Sequence, residues 1–321
     1  MSITITGGIS FSGGVGIVAP PSGPAGWFYG GSNSGGKFSS TQRIIFSSDT
    51  VTASIRGQLT SSKYQTAATG TTTDGWIAGG FNSSVGGITN VDRVTFATDT
   101  ATASSRGPLT GVRYNWAGTT DSTTYAWFGQ GRIPGVPSPS SFQRITFATD
   151  TTTATVRGGI SPAPTQMWGF AATGTTTNGW FGGGVGVLST VYRLTYATDT
   201  AAAGLRGPLS IARDTLGASG DTTYGWFFGG SGTPTGAVST IDRITYATDT
   251  ATASVRGPLT AISYATAATG DTTYGWATVC GNNPGSTTIN RITYATDTAT
   301  ASTRGPLGIN TKFTSASAGV S

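Results

Sequence analysis

Three residue series recur through this chain at a period close to fifty, and no other feature limits its fold as tightly. Arg43, Arg93, Arg144, Arg193, Arg243 and Arg291 each precede a short aliphatic pattern, at spacings of 50, 51, 49, 50 and 48. Thirteen residues after each comes an Arg-Gly pair, at Arg56, Arg106, Arg157, Arg206, Arg256 and Arg304. Trp27, Trp76, Trp127, Trp180, Trp226 and Trp276 form the third series. Every series has six members, so the chain contains six units. A unit of this length cannot bury its own apolar face, and its neighbours must complete the core.

The fifth unit shows what each one is made of. TLGASG reads as strand A, YGWFFGG as strand B, IDRITYAT as strand C and ATASVRGPL as strand D. All are short, rich in Thr and aromatics, and bounded by Gly, Asp or Pro. Gly alone supplies 50 of 321 residues, which disfavours helix interiors. Four strands per unit of about fifty residues predict an all-β, six-bladed β-propeller. The segment YATDTAT joins C to D as a hairpin, and its Asp is expected to accept hydrogen bonds from turn amides.

The order of strands also predicts how the ring closes. The chain enters the repeat at strand B, Gly26-Trp27-Phe28-Tyr29-Gly30-Gly31. It ends on residues 312–319, which match strand A of the second unit, residues 63–70, placing Lys312 on Lys63 and Phe313 on Tyr64. The C-terminal strand is therefore expected to complete blade 1, which removes exposed end blades. The blades are then about 26–62 plus 311–321, 63–112, 113–165, 166–212, 213–262 and 263–310. Residues 1–25 carry their own small repeat, ITGGISFSGGV, and read as an extended arm suited to anchoring.

Charges can be placed on this frame. With strand order A-B-C-D, all eighteen basic residues fall toward the face of the B–C and D–A loops, joined there by Asp92, Asp214 and Asp242. The other ten Asp fall on the face of the A–B and C–D turns. A strongly dipolar disc is the expectation. The twelve repeated Arg admit two readings. One places them between blades as structural donors to loop carbonyls. The other makes a basic face that steers an anionic partner, or stacks disc on disc. The non-repeated cations Lys37, Lys63, Arg113, Arg132, Arg213 and Lys312 are the better binding candidates, because the fold does not require them in every blade. Just after the start of strand A stand Tyr64, Tyr114, Trp168, Asp214, Tyr264 and Phe313, so a ring of aromatics interleaved with cations should circle the channel mouth. Such a ring suits sugar stacking or a phosphorylated glycan, and equally suits packing that plugs the channel. The six strand-B Trp read as filling between blades.

Composition removes most catalysis. There is no His and no Glu. That excludes Ser-His-Asp and Cys-His pairs, and paired Glu for glycoside hydrolysis. With Cys280 as the single Cys, no zinc or copper site has enough of its usual ligands. No catalytic residue, metal or cofactor is expected, and nucleic acid ranks low as a partner because most Arg are locked to the repeat. The N-terminus lacks a basic region followed by an apolar core, so it does not read as a secretory signal. No apolar run is long enough for a membrane span.

The unit resembles the kelch repeat over residues 26–321. The likeness rests on the Gly pairs ending strand B (Gly79-Gly80, Gly183-Gly184, Gly229-Gly230), an aromatic in strand C, and a D strand returning through a Pro-containing loop. The kelch Trp of strand D is replaced by small residues, and the recurrent Trp sits in strand B, so kelch enzyme chemistry is not implied. ITGG at the N-terminus and six copies of a YATDTATASxRGPL-type repeat also resemble repeat proteins of marine phage (cyanophage) virions. That resemblance implies a non-enzymatic structural or receptor-binding part of a tail fibre, tail or capsid appendage, located in the virion. It would dock on other virion proteins through residues 1–25. Its B–C loops, about 31–40, 81–90, 130–141, 183–189, 231–238 and 279–288, vary while the strands repeat, and would carry recognition of a host glycan or another anionic partner. The alternative is a carbohydrate-binding propeller lectin with equivalent sites between blades. Six-bladed fucose lectins use Glu there, which this chain lacks.

Overall fold

The structure is a computed structural model that describes residues 24–129, 131–133, 140–164, 168–186, 188–232, 236–281 and 285–319. The expected arm therefore lies outside the described residues, except for Pro24 and Ala25. Six antiparallel four-stranded sheets stand in a ring, making a six-bladed β-propeller. Blade 2 shows the pattern: strand A Ala67–Gly70, B Asp74–Ala78, C Val91–Thr95 and D Ser104–Arg106. Blade 1 has strand B Ala25–Tyr29, C Ser40–Ile45 and D Ser54–Gln58. Its strand A is the C-terminal Ser315–Gly319, with Trp27 opposite Ser317. The expected closure is what the structure shows. Blade 4 gains a fifth, parallel strand, Ile160–Ser161, beside its D strand Ala203–Arg206.

The core lies between blades. Each strand-B Trp is at most 4 % exposed and lies against the ring that ends strand C of the next blade. Trp27 on Phe96, Trp127 on Tyr196 and Trp276 on Phe46 have centroids 3.8–4.0 Å apart and nearly parallel planes. Trp76–Phe147, Trp180–Tyr246 and Trp226–Tyr294 repeat the contact. Such stacking adds about 0.5–1.5 kcal/mol to the area each ring buries.

The same junctions hold the repeated charges, which corrects the dipole. Strand C runs into a short 3-10 turn ending at Asp49, Asp99, Asp150, Asp199, Asp249 or Asp297. The Asp99 carboxylate does not cap its own turn as expected. One of its oxygens takes the Trp27 indole N–H at 2.8 Å and an Arg43 guanidinium N–H at 3.0 Å, with Arg56 Nε at 3.6 Å, all from blade 1. The cluster of one Asp, one Trp and two Arg recurs at every junction. It closes the ring where Trp276, Arg291 and Arg304 of blade 6 meet Asp49 of blade 1. Twelve Arg and ten Asp thus lie toward one face, and six cations and three Asp toward the other. The long Arg side chains carry their charge away from the loops near which their backbones start, so the faces do not polarise.

Edge strands are covered as well. Gly57 N–H donates to the Asp99 carbonyl at 2.7 Å, and Ala53 N–H to the Pro306 carbonyl at 2.8 Å, with equivalents around the ring. The outer strand of each blade is thereby tied to both neighbours, which blunts edge-to-edge pairing. Among the described residues, no helix is long and apolar enough to cross a membrane.

Candidate functional site

Where strand A begins, the chain turns sharply around the axis. Gln65, Asn115, Gly169, Thr215, Ala265 and Phe313 all hold positive φ, between 52° and 76°. They form one level of the ring. Gln65 N–H donates to the Phe313 carbonyl, Asn115 to Gln65, Gly169 to Asn115 and Thr215 to Gly169, at 2.7–3.1 Å; Thr266 N–H then donates to Thr215. Five of the six are not glycine, and left-handed backbone costs such residues about 1–2 kcal/mol each. Held strain of this kind marks functional places in a fold more often than ordinary ones.

The residue just before each of these faces the mouth. In order around the ring they are Lys312, Tyr64, Tyr114, Trp168, Asp214 and Tyr264. This corrects the register expected for the last strand. Ser32 bridges Lys312 as Phe81 bridges Tyr64, so Lys312 occupies the aromatic position of blade 1 and Phe313 follows it with φ 55°. Sequence matching missed this because 312–319 and 63–70 align without a gap on their Lys and Gly, an offset one residue away from the one that the strand pairing sets.

The aromatics do come together. Phe313 lies between Tyr64 and Tyr264, with centroids 6.1 and 6.0 Å away. Phe81, not a sequence candidate, bridges Tyr64 and Tyr114 at 5.7 and 5.4 Å. Its signal was its place directly after the Gly79-Gly80 pair, where Arg132 stands in blade 3. Lys37 Nζ lies 5.0 Å above the Tyr64 ring. Arg132, which is exposed, lies 5.8 Å from Tyr114 and 5.6 Å from Trp168. Lys312 Nζ is 5.7 Å from the Tyr264 ring, 5.6 Å from Phe313, and donates to the Tyr264 hydroxyl at 3.2 Å. Each is within cation–π reach.

Three other candidate cations are withdrawn from the surface. Lys63 and Asp92 are both fully buried with Nζ 3.0 Å from the carboxylate, and Asn90 accepts a second bond at 2.6 Å. Arg213 pairs with Asp242 at 3.1 Å, also fully buried, and donates to the Phe227 carbonyl. Burial pulls both cations down from their ordinary pKa, while the adjacent carboxylates oppose it. A dry pair of this type is a positioning device and not a ligand site. In blade 3 the carboxylate position holds Gln143, whose amide oxygen accepts from the Thr110 N–H at 2.7 Å. Arg113 there is buried, donates to the Val112 carbonyl and has its pKa lowered by desolvation.

Asp214 is the one acid among the six mouth positions. Burial raises its carboxyl pKa, and the Thr215 hydroxyl that donates to it acts the other way. Beyond the turns the channel is lined by small residues of all six A strands, including Ala68, Gly118, Ala172, Ala218, Ala268 and Ala316. Toward the A–B turns it holds a cavity of about 210 Å³. Ala25 pairs with Gly319 at that end, so the described residues begin and end on the face opposite the aromatic mouth.

No protein-family model matches this chain. No curated protein matches it either.

Proposed function

We propose that this chain is a non-enzymatic recognition disc of a bacteriophage virion, a structural or receptor-binding part of a tail fibre, tail or capsid appendage. Residues 1–25 dock it, and the face bearing the B–C loops and the aromatic mouth meets the host or a neighbouring subunit. The observation that carries this reading is a division of labour among the cations. The repeated Arg lock blade to blade, while Lys37, Arg132 and Lys312 gather over aromatic rings at one mouth. A rigid scaffold with varied loops and one chemically distinct surface suits binding. The phage assignment itself is supported by the likeness of the ITGG segment and the YATDTATASxRGPL-type repeats to virion repeat proteins. Immunogold labelling and mass spectrometry of purified particles test it: the chain should be found on the particle, and deletion of residues 1–25 should abolish its incorporation. Particles free of the chain would overturn the assignment.

The carbohydrate-lectin reading is favoured by the same mouth, in a modified form. Equivalent sites between blades have lost their Arg and Trp to the Asp clusters, so sugar binding would occur at the axis. A stoichiometry of one sugar chain per disc fits this arrangement; several equivalent sugars per disc would contradict it.

A further inference from the structure

The mouth gathers cations that the blade junctions do not use. Fourteen of the eighteen cations form ion pairs with Asp. Among the described residues, Lys37 and Arg132 have no ion pair, and both stand over aromatic rings of blades 2 to 4. Lys312 adds a third cation at the same level. Across the axis, blade 5 faces blade 2, and there the position of Tyr64 is taken by Asp214.

We infer that this mouth binds the end of an acidic saccharide chain, with its carboxylate or sulfate against Lys37, Arg132 and Lys312 and its hydroxyls toward Asp214. The inference rests on the mouth being the recognition surface proposed above. Its chemistry selects among anions. The cationic arc requires negative charge on one side of the ligand. Asp214 accepts hydrogen bonds from hydroxyls but repels a second line of anions, which disfavours a phosphodiester chain crossing the mouth. The rings of Tyr64, Phe81 and Tyr114 pack edge to face, at 65° and 73°. They therefore offer no continuous platform for successive bases of the kind single-stranded nucleic acid uses. Tyr64, which is partly exposed, does offer a hydroxyl and a partial face to a sugar ring, with the buried Tyr114 behind Phe81 as support.

The test uses the full chain and labelled oligosaccharides of matched length: a heparin-derived sulfated chain, an oligogalacturonate, a neutral malto-oligosaccharide and an oligothymidylate. The acidic saccharides should bind, with affinity falling as salt rises, and the neutral one should not. Lys37→Gln with Arg132→Gln should weaken binding at least about tenfold, near 1.4 kcal/mol, with the unfolding midpoint unchanged because neither residue is ion-paired. Asp214→Asn should raise oligothymidylate binding. Neutral sugar bound in preference, or acidic sugar bound equally by the double variant, would overturn the ligand class while leaving a recognition role intact. Preferred binding of oligothymidylate would replace it with nucleic acid. Silence from all four probes, with the chain still present on particles, would overturn the saccharide inference and leave a structural role. Absence from particles with saccharide binding retained would overturn only the virion assignment.

Discussion

The indole of Trp276 donates to the carboxylate of Asp49 at 2.8 Å, across 227 residues of sequence. That bond, with Arg291 and Arg304 on the same oxygen, makes the closing junction chemically the same as the other five.

Asp49→Ala leaves two guanidinium groups and an indole N–H without their shared acceptor. Its cost should be about 3–5 kcal/mol, the range for breaking a buried charge pair, and should match that of Asp199→Ala at an internal junction. Asp121, which accepts from the amides of Thr123, Thr124 and Tyr125 in an exposed turn, should cost only about 1 kcal/mol when changed to Ala. Urea unfolding of the three variants checks this. A closing junction much cheaper than the internal one would mean that the ring is not sealed there.

The glycine after each D-strand Arg is fixed by the neighbouring blade. A Cβ on Gly57 would run into the backbone carbonyl of Ala101, and the other five positions meet the same obstacle. Gly57→Ala should therefore destabilise by several kcal/mol, beyond the usual range of ~0.5–3 for single substitutions. Gly204 makes the contrast. It lies in strand D with only the flexible end of Arg206 near a Cβ, where most blades have Ser or Thr. Gly204→Ser should stabilise by about 0.5–1 kcal/mol through lower unfolded-chain entropy. Thermal melting of both variants gives the comparison.

Three junctions carry a hydroxyl that the other three lack. Tyr246 bonds Thr173 at 2.9 Å, and Tyr196 and Tyr294 do the same with Thr119 and Ser219. Phe46 occupies the equivalent place beside Thr269, whose hydroxyl is buried without a partner. Phe46→Tyr should supply it and stabilise by about 1 kcal/mol. Tyr246→Phe should destabilise by a similar amount. Equal midpoints for wild type and Phe46→Tyr would show that the ring cannot place its oxygen there.

Alkaline pH should unfold the protein. Burial raises the phenol pKa of Tyr29, Tyr196, Tyr246 and Tyr294 well above the ordinary value of 10, and pushes the Cys280 thiol up to about 11. Each group is held neutral in the fold, whereas the unfolded chain ionises near the ordinary values. The stabilising effect is full below those values and is lost as pH rises toward the folded ones. Stability should be flat up to about pH 9 and then fall, with the thiol contributing between about 9 and 11. Tyr294→Phe should flatten the decline. Cys280 should resist a thiol reagent at neutral pH until denaturant is added; labelling of the folded protein at the rate of a free thiol would contradict its burial.

Residue type and spacing made the blades legible. Trp27 and its five equivalents had to bury their rings somewhere, and a period near fifty leaves the junction between blades as the place. The mouth was legible in outline, because Tyr64, Tyr114, Trp168 and Tyr264 hold one position relative to strand A. Its cations were not. Lys63 and Lys37 look alike along the chain, yet Lys63 meets Asp92 in a dry interior and Lys37 stands over Tyr64. No local pattern predicts that, since the Asp partner lies 29 residues away and only the sheet brings it near.

The sequence by itself determined the number of blades, the identity of the closing strand and the removal of His- and Glu-dependent chemistry. Those follow from periodicity, strand order and composition, which are properties of the chain read along its length. Tertiary structure alone decided where charge resides. Arg43 starts inside strand C, opposite Trp27, while Asp49 lies past the end of that strand, and the Arg43 side chain is long enough to reach the equivalent Asp99 in the next blade. The reach and partner of a flexible side chain depend on what packs beside it, so a disc that should have been polar became one locked by its own charges.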